Sequence, residues 1–232
     1  MSHRSLVLPL AAALALAAGC APAASTPQSP SPAASTAAAP AQDYLLWVGS
    51  EGDDQLSLVR FGPAGARVER AFRTGLVPSE VAGPHGVAVS PDGRHFYVST
   101  AHGFPFGSLW KYTTVGDTLV GRIELGNFPA TLQTTPDGQY VYVVNFNLHG
   151  EMVPSSVSIV HAPEMVEVAR VTTCTMPHGS RLNPQGTKHY SACMMDDMLV
   201  EIDTRTIGIS RHFSLRKGSP DGPCRRPACT SR

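Results

Sequence analysis

The sequence has few charged residues, no long stretch with helical periodicity and no basic run outside its extreme C-terminus. Only 16% of its 232 residues are charged, and the formal net charge is zero. Nucleic-acid binding relies on a clustered positive surface, so its absence argues against a nucleic-acid partner. The missing helical periodicity, together with 21 glycines and 20 prolines, predicts an all-β protein.

Long apolar runs are scarce as well, and the run at the N-terminus is short. It spans residues 6–18 and follows Arg4. This length is too short for a membrane-spanning helix and is typical of a signal-peptide core. The run ends in Leu16-Ala17-Ala18-Gly19-Cys20, which resembles the lipobox of bacterial lipoproteins. That resemblance implies lipid attachment at Cys20 and an extracytoplasmic, membrane-anchored protein, with Ala21 favouring the outer membrane. An ordinary secretory signal with a chance cysteine is the alternative.

Composition divides the rest of the chain into three parts. Residues 21–43 are rich in Ala, Pro, Ser and Thr, so burial cannot offset their ordering entropy, and we expect a tether. Residues 44–215 are long enough for one sizeable core. Residues 216–232 change abruptly to Arg, Pro and Cys, and we expect an aberrant tail there.

An internal repeat organises residues 44–215. Three units read GPHGVAVSPDGRHFYVST, NFPATLQTTPDGQYVYVVN and MPHGSRLNPQGTKHYSAC, separated by 45 and then 48 residues. That period suits four short strands, as in a propeller blade. The Pro-Asp-Gly tripeptides predict a tight turn between the first two strands, and aromatic and β-branched residues favour the second strand. The predicted strands are 86–90, 96–100, 108–112, 119–125, 140–145, 156–160, 165–171, 198–203 and 207–215.

The pattern x-Pro-x-x-[Val/Leu]-x-x-[Ser/Thr]-Pro-Asp-Gly-x-x-x-Tyr-Val resembles YVTN-type β-propeller repeats. The resemblance implies four-stranded antiparallel blades, of which about four are present where such rings typically close with about seven. Residues 44–48 and 55–61 match a second and a third strand with no first strand ahead of them, so we expect a truncated or frameshifted ring. Relatives of this type include surface proteins, lactonase-like hydrolases and the propeller domains of nitrous-oxide reductase and cytochrome-d1-type proteins, and the fold does not choose among them.

Propeller topology predicts where the histidines gather. Connections that enter the first strand and connections between the second and third strands lie on one face, opposite the Pro-Asp-Gly turns. We call this the histidine face, defined by His85, His102, His149 and His178. Six further polar or sulfur-containing side chains, besides Cys193, fall on the same side: Cys174, Met176, Met194, Met195, Asp196 and Asp197.

Two interpretations of that face remain open. His, Met and Cys together suit copper or another soft transition metal, so the possible ligands are the four histidines and Cys193. Alternatively, His85 and His178 occupy one repeat position that was duplicated with the blade and binds no metal. Cys174 and Cys193 flank a predicted hairpin and could instead form a disulfide in an oxidising compartment.

The sequence therefore predicts a membrane-tethered, extracytoplasmic β-propeller that acts as a binding module for a protein, a glycan or a small molecule. The first alternative is a copper- or haem-associated redox metalloprotein that uses the histidine face. A lactonase-like hydrolase is weaker, because no Ser-His-Asp or paired-carboxylate arrangement is apparent. No catalytic residue is assigned, and the sequence does not decide whether the protein is an enzyme.

Overall fold

The computed structural model describes residues 40–77, 79–102 and 106–216. Within these residues the chain forms fifteen β-strands and one short 3-10 turn, Glu51–Asp53, which confirms the all-β expectation. No helix in the described residues has both the length and the hydropathy needed to cross a membrane. The predicted signal peptide, Cys20, most of the tether and nearly all of the tail lie outside the described residues.

The strands form four antiparallel sheets that follow one another along the chain. The first sheet has three strands: β1 (Tyr44–Ser50), β2 (Gln55–Gly62) and β3 (Gly65–Arg73). The second has β4 (Pro84–Val89), β5 (His95–Thr100), β6 (Ser108–Thr113) and β7 (Leu119–Glu124). The third has β8 (Pro129–Thr134), β9 (Tyr140–Asn145), β10 (Pro154–His161) and β11 (Val166–Thr175). The fourth has β12 (Arg181–Leu182), β13 (Lys188–Cys193), β14 (Met198–Asp203) and β15 (Gly208–Ser214).

The same tight turn joins the first two strands of each four-stranded sheet. Ser90 donates its hydroxyl proton to Asp92 Oδ1 at 2.6 Å and accepts the His95 backbone N–H at 3.0 Å. The turn ends in a left-handed residue, which favours glycine because glycine has no Cβ. These glycines are Gly93, Gly138 and Gly186, with φ values of 69°, 69° and 67°. The repeat seen in the sequence is therefore a repeat of turn geometry.

Each sheet packs its apolar face against the next. Between the first and second sheets, Trp47 stacks on Phe96 with ring centroids 4.2 Å apart. The second and third sheets bury Tyr97, Leu109, Leu132, Val141, Val143 and Val160 between them. The third and fourth bury Tyr142, Val144, Val157, Ile159, Val200 and Ile202. Since each such side chain stabilises the fold by about 1.5–3 kcal/mol, these interfaces hold successive sheets together. The result is a propeller-like arrangement.

The first sheet lacks a counterpart of the innermost strand found in the other three. Within the described residues β1 pairs with β2 alone, and one of its edges has no strand beside it. The outward side chains of β1 are apolar and half exposed: Tyr44 is 47% exposed, Leu46 45% and Val48 45%. This agrees with the expectation that the first unit begins at its second strand. The sequence did not predict β3.

Candidate functional site

The histidines predicted to share a face lie together in the structure. Three of them contact the ring of Phe128, with centroid distances of 5.4 Å for His85, 5.2 Å for His102 and 5.4 Å for His149. His178 lies edge-on to Phe146 at 4.7 Å, and Phe146 in turn contacts Phe128 at 5.6 Å. Both phenylalanines are buried. The rings of Phe128 and Phe146 therefore form an apolar floor that the four imidazoles contact.

A backbone geometry that recurs ahead of the innermost strands of the three four-stranded sheets positions this floor. The residue before the proline at or just ahead of each such strand is left-handed: Gly83 has φ 64°, Phe128 52° and Met176, whose proline lies four residues ahead of β12, 52°. At Gly83 a Cβ would overlap the His102 ring, so glycine is required for the close approach. At this repeat position, Gly83 leaves space for the His102 ring in the second sheet, and Phe128 supplies an aromatic ring in the third.

Asp54 fixes the segment that carries His85. This carboxylate is 1% exposed and accepts the Gly83 N–H at 3.0 Å, the Ala82 N–H at 3.2 Å and the Thr74 hydroxyl at 2.8 Å. A buried carboxylate is stable only when hydrogen bonds replace its hydration, as these three do. The first sheet is thereby tied to the start of β4, and His85 is the second residue of that strand.

His178 is held from three sides. Its backbone N–H donates to Ala192 O at 2.9 Å, and its carbonyl accepts the Thr131 hydroxyl. A disulfide joins Cys174 to Cys193 just before and beyond this segment, with Cα atoms 5.9 Å apart. The Cys193 sulfur is therefore not available as a thiolate, which removes it from the ligand set expected from the sequence.

Polar side chains on the histidine face form a chain of short contacts. His178 Nε2 lies 3.3 Å from His85 Nε2, and His85 Nδ1 lies 3.1 Å from Glu51 Oε2. The other oxygen of the same carboxylate, Glu51 Oε1, lies 2.8 Å from His102 Nε2. The side chains of His85, Glu51 and His102 are 21%, 36% and 34% exposed. Solvent can therefore reach these three polar side chains, although the phenylalanine rings beneath them are buried.

Burial, followed by the neighbouring charge of His85, lowers the pKa of His178. Both effects disfavour the imidazolium, because a cation loses hydration in the interior and is repelled by a second cation. His178 is accordingly neutral at neutral pH. A neutral imidazole can accept a hydrogen bond or bind a metal through its unprotonated nitrogen.

Other residues expected on this face do not join the chain of contacts. Met194 and Met195 are more than half exposed, and Met176 packs against the phenylalanine floor. Asp196 Oδ2 accepts the Thr175 N–H at 2.7 Å, and Asp197 lies 3.6 Å from Arg216. Among the described residues, no group of three or more His, Cys, Asp or Glu side chains is arranged to hold a metal.

The sequence argument missed Glu51, Phe128 and Phe146. Glu51 lies in the connection between β1 and β2, which corresponds to the connection that carries His102 in the next sheet. Applying the same topological rule to the incomplete first unit would have placed Glu51 on the histidine face. Phe128 precedes Pro129 at the repeat position occupied by Met176, which the sequence did place there.

The Ser180–His189 pair has the hydrogen bond of a nucleophile and its base but a different environment. Ser180 Oγ lies 2.8 Å from His189 Nε2, and the two residues are 3% and 0% exposed. No group in the described part of the chain partners His189 Nδ1. Burial lowers the pKa of His189 to about 3. A base needs an accessible substrate and a pKa near the operating pH, so this pair is structural.

The opposite face, formed by the Pro-Asp-Gly turns, has a groove of about 530 Å³ between the second and third sheets. Lys111 lines it and is 9% exposed. Its ammonium donates to Ala162 O at 2.9 Å across the sheet interface, and burial lowers its pKa. Lys111 therefore links two sheets.

Comparison with known proteins supports the fold and leaves the function open. No protein-family profile matches the chain. Antigen Lp49 of Leptospira interrogans is 31% identical over 77 residues, covering 28% of this chain and 17% of the antigen. The chain therefore spans less than a fifth of that relative.

Two of the solved structures that resemble the chain illustrate the likeness. Hydrazine synthase of Kuenenia stuttgartiensis has a TM-score of 0.52 and 23% identity, covering 64% of this chain and 41% of that one. A functionally unknown protein of Desulfotomaculum acetoxidans has a TM-score of 0.61 and 11% identity, covering 75% of this chain and 56% of that one. At these identities the likeness is one of fold, and the chain has a propeller-like, all-β architecture.

Proposed function

We propose that this chain is a YVTN-type β-propeller module, tethered to the extracytoplasmic side of a membrane through Cys20, which binds a ligand on its histidine face. Each four-stranded sheet is one blade, and the first sheet is a blade without its inner strand. The exposed apolar side chains of β1 support this assignment, because a neighbouring blade would cover them.

The observation that carries the binding role is the convergence of four histidines and Glu51 from separate connections. The β-sheets beneath them form a rigid scaffold, and binding residues are typically carried on loops that such scaffolds position. The side chains of His85, Glu51 and His102 are partly accessible to solvent and lie above the buried rings of Phe128 and Phe146. Repeat inheritance accounts for His85 and His178, but it does not account for Glu51 and His102, which lie outside that repeat position.

The membrane tether gives the first expected result. Replacing Cys20 by Ser removes the acylated residue, so the variant should appear in the soluble extracytoplasmic fraction while the unmodified protein stays with membranes and needs detergent for release. Cell fractionation with immunodetection measures this. Release of the unmodified protein from membranes without detergent, or its recovery in the cytoplasm, would refute the lipid anchor. The disulfide supports an oxidising compartment.

The histidine face gives the second expected result. We expect at least one of four probe classes (divalent metal ions, short carboxylic acids, monosaccharides and peptides) to raise the thermal unfolding midpoint of the purified protein. Ligand at a hundredfold excess over its Kd stabilises by about 2.7 kcal/mol. His85→Ala and His178→Ala should abolish the shift, whereas His161→Ala should keep it, because His161 lies at the end of β10 beside Glu164. A shift that survives both face substitutions would place binding elsewhere.

A hydrolase is the least supported function. The Ser180–His189 pair is buried and lacks an acidic partner within the described residues. A copper-dependent role is less well supported than the sequence suggested, because the Cys193 sulfur expected as a ligand is in the disulfide.

A further inference from the structure

We infer that His85 and His178 together bind one divalent metal ion in tetrahedral coordination, Zn(II) being the best fit, with Glu51 as the carboxylate partner of His85. This inference rests on the proposed function, because it names the ligand of the histidine face. It differs from the sequence expectation in the ion, in the number of ligands and in the role of Glu51.

The separation of the two ring nitrogens carries the choice of ion. His85 Nε2 and His178 Nε2 lie 3.3 Å apart. Two nitrogens that each lie about 2.0–2.1 Å from a zinc ion at the tetrahedral angle are about 3.3 Å apart. Adjacent nitrogens of a square-planar Cu(II) site at similar bond lengths would be about 2.9 Å apart. That distance fits two ligands of a tetrahedral Zn(II) ion better than two adjacent ligands of a square-planar ion, and it is also the length of the hydrogen bond that joins the two rings without metal.

Glu51 sets the protonation of His85. Its Oε2 lies 3.1 Å from His85 Nδ1, so in the neutral imidazole the proton is on Nδ1 and the lone pair of Nε2 points towards His178. Histidines that ligate a metal usually donate their other N–H to a carboxylate or carbonyl in this way. Glu51 is held in turn by His102, whose Nε2 lies 2.8 Å from Oε1.

The site is open rather than closed. Two imidazoles supply two of four coordination positions, and the described residues bring no third histidine, cysteine or carboxylate into a ligand group with them. Water or an external molecule would fill the other two positions, one more than in catalytic zinc sites, which have three protein ligands. Without metal, the two rings hydrogen-bond to one another through His178 Nε2–H and His85 Nε2. Binding the ion requires the neutral His178 ring to carry its proton on Nδ1 instead of Nε2, so that both Nε2 lone pairs face the ion and no net proton is released.

The test uses the untagged full chain, with any free thiols alkylated so that cysteines outside the Cys174–Cys193 disulfide cannot contribute. Competition with a chromophoric chelator measures Zn(II) affinity at pH 7.5, and Co(II) substitution reports geometry through its intense tetrahedral absorption bands. His85→Ala and His178→Ala should each weaken binding by at least about tenfold, and Glu51→Gln by about tenfold, which is the effect of losing an outer-shell partner.

The matched control is the His161–Glu164 pair, where Nδ1 lies 3.3 Å from a carboxylate oxygen but no second histidine faces Nε2 within the described contacts. His161→Ala and Glu164→Gln should leave Zn(II) affinity and the Co(II) spectrum unchanged. Thermal unfolding of each variant shows that it is folded. If His178→Ala fails to fold, Glu51→Gln and His85→Ala decide the question.

An octahedral Co(II) spectrum, or equal Zn(II) affinity in the unmodified protein and the folded His85→Ala and Glu51→Gln variants, would overturn the metal site. The proposed function would survive that result if another probe class shifted the unfolding midpoint in a His85-dependent manner. Loss of every His85-dependent shift would overturn both proposals.

Discussion

Replacing Cys174 and Cys193 together by Ser is expected to lower the free energy of unfolding by about 3 kcal/mol. The disulfide joins residues separated by 19 positions, and closing a loop of that size removes about 3 kcal/mol of chain entropy from the unfolded state. Both sulfurs belong to the buried cluster between the third and fourth sheets, so lost packing adds to the effect. Urea denaturation of the oxidised protein and the variant, each extrapolated to water with its own m-value, measures the difference.

Two comparisons make this expectation specific. Reduction of the unmodified protein should reproduce most of the loss. The doubly substituted Cys174 and Cys193 variant should also bind Zn(II) more weakly at the histidine face, because the disulfide joins the two ends of the segment that contains His178. Equal unfolding midpoints for the oxidised protein and that variant would mean that the bond does not form in solution.

Much of the fold could be predicted because the repeat fixes both turn geometry and strand order. The predicted strands 140–145 and 198–203 coincide with β9 and β14. β3 was missed for a physical reason: eight of the nine residues of Gly65–Arg73 are exposed, and the strand carries no buried alternation that a sequence pattern could reveal. It is held instead by backbone pairing with β2 and by Phe72, which packs beside Trp47.

The histidine face could be predicted from topology, whereas its internal contacts could not. Which connections share a face follows from strand order alone. The contact of Glu51 with two histidines depends on a 3-10 turn that ends at Asp54 in the left-handed conformation, with φ 54°. Cys193 illustrates the same limit, because spacing in the sequence does not distinguish a metal ligand from a disulfide partner. The Cα separation of 5.9 Å from Cys174 does.

His189 should make the protein sensitive to mild acid. The ring is fully buried, stacks on Tyr142 at 4.9 Å and has a pKa of about 3, against about 6.5 in the unfolded chain. The unfolded state therefore binds one more proton than the native state between these values, and stability is lost as pH falls through that window. Each pH unit there costs up to about 1.4 kcal/mol, which amounts to roughly 2 kcal/mol between pH 6.5 and 4.5.

The double substitution Ser180→Ala with His189→Phe isolates this contribution. The equivalent repeat position in the second sheet holds Phe96, so phenylalanine is compatible with this fold. Ser180 is replaced as well because its buried hydroxyl would lose its partner, His189 Nε2. His95 and His178 also have lowered pKa values and remain in the variant, so the difference between the two stability curves belongs to His189. Chemical denaturation at half-unit intervals should show the curves separating below pH 6.5. Parallel curves would mean that His189 is protonated or exposed in the native protein, and the tight packing of the third sheet on the fourth would then have to be abandoned.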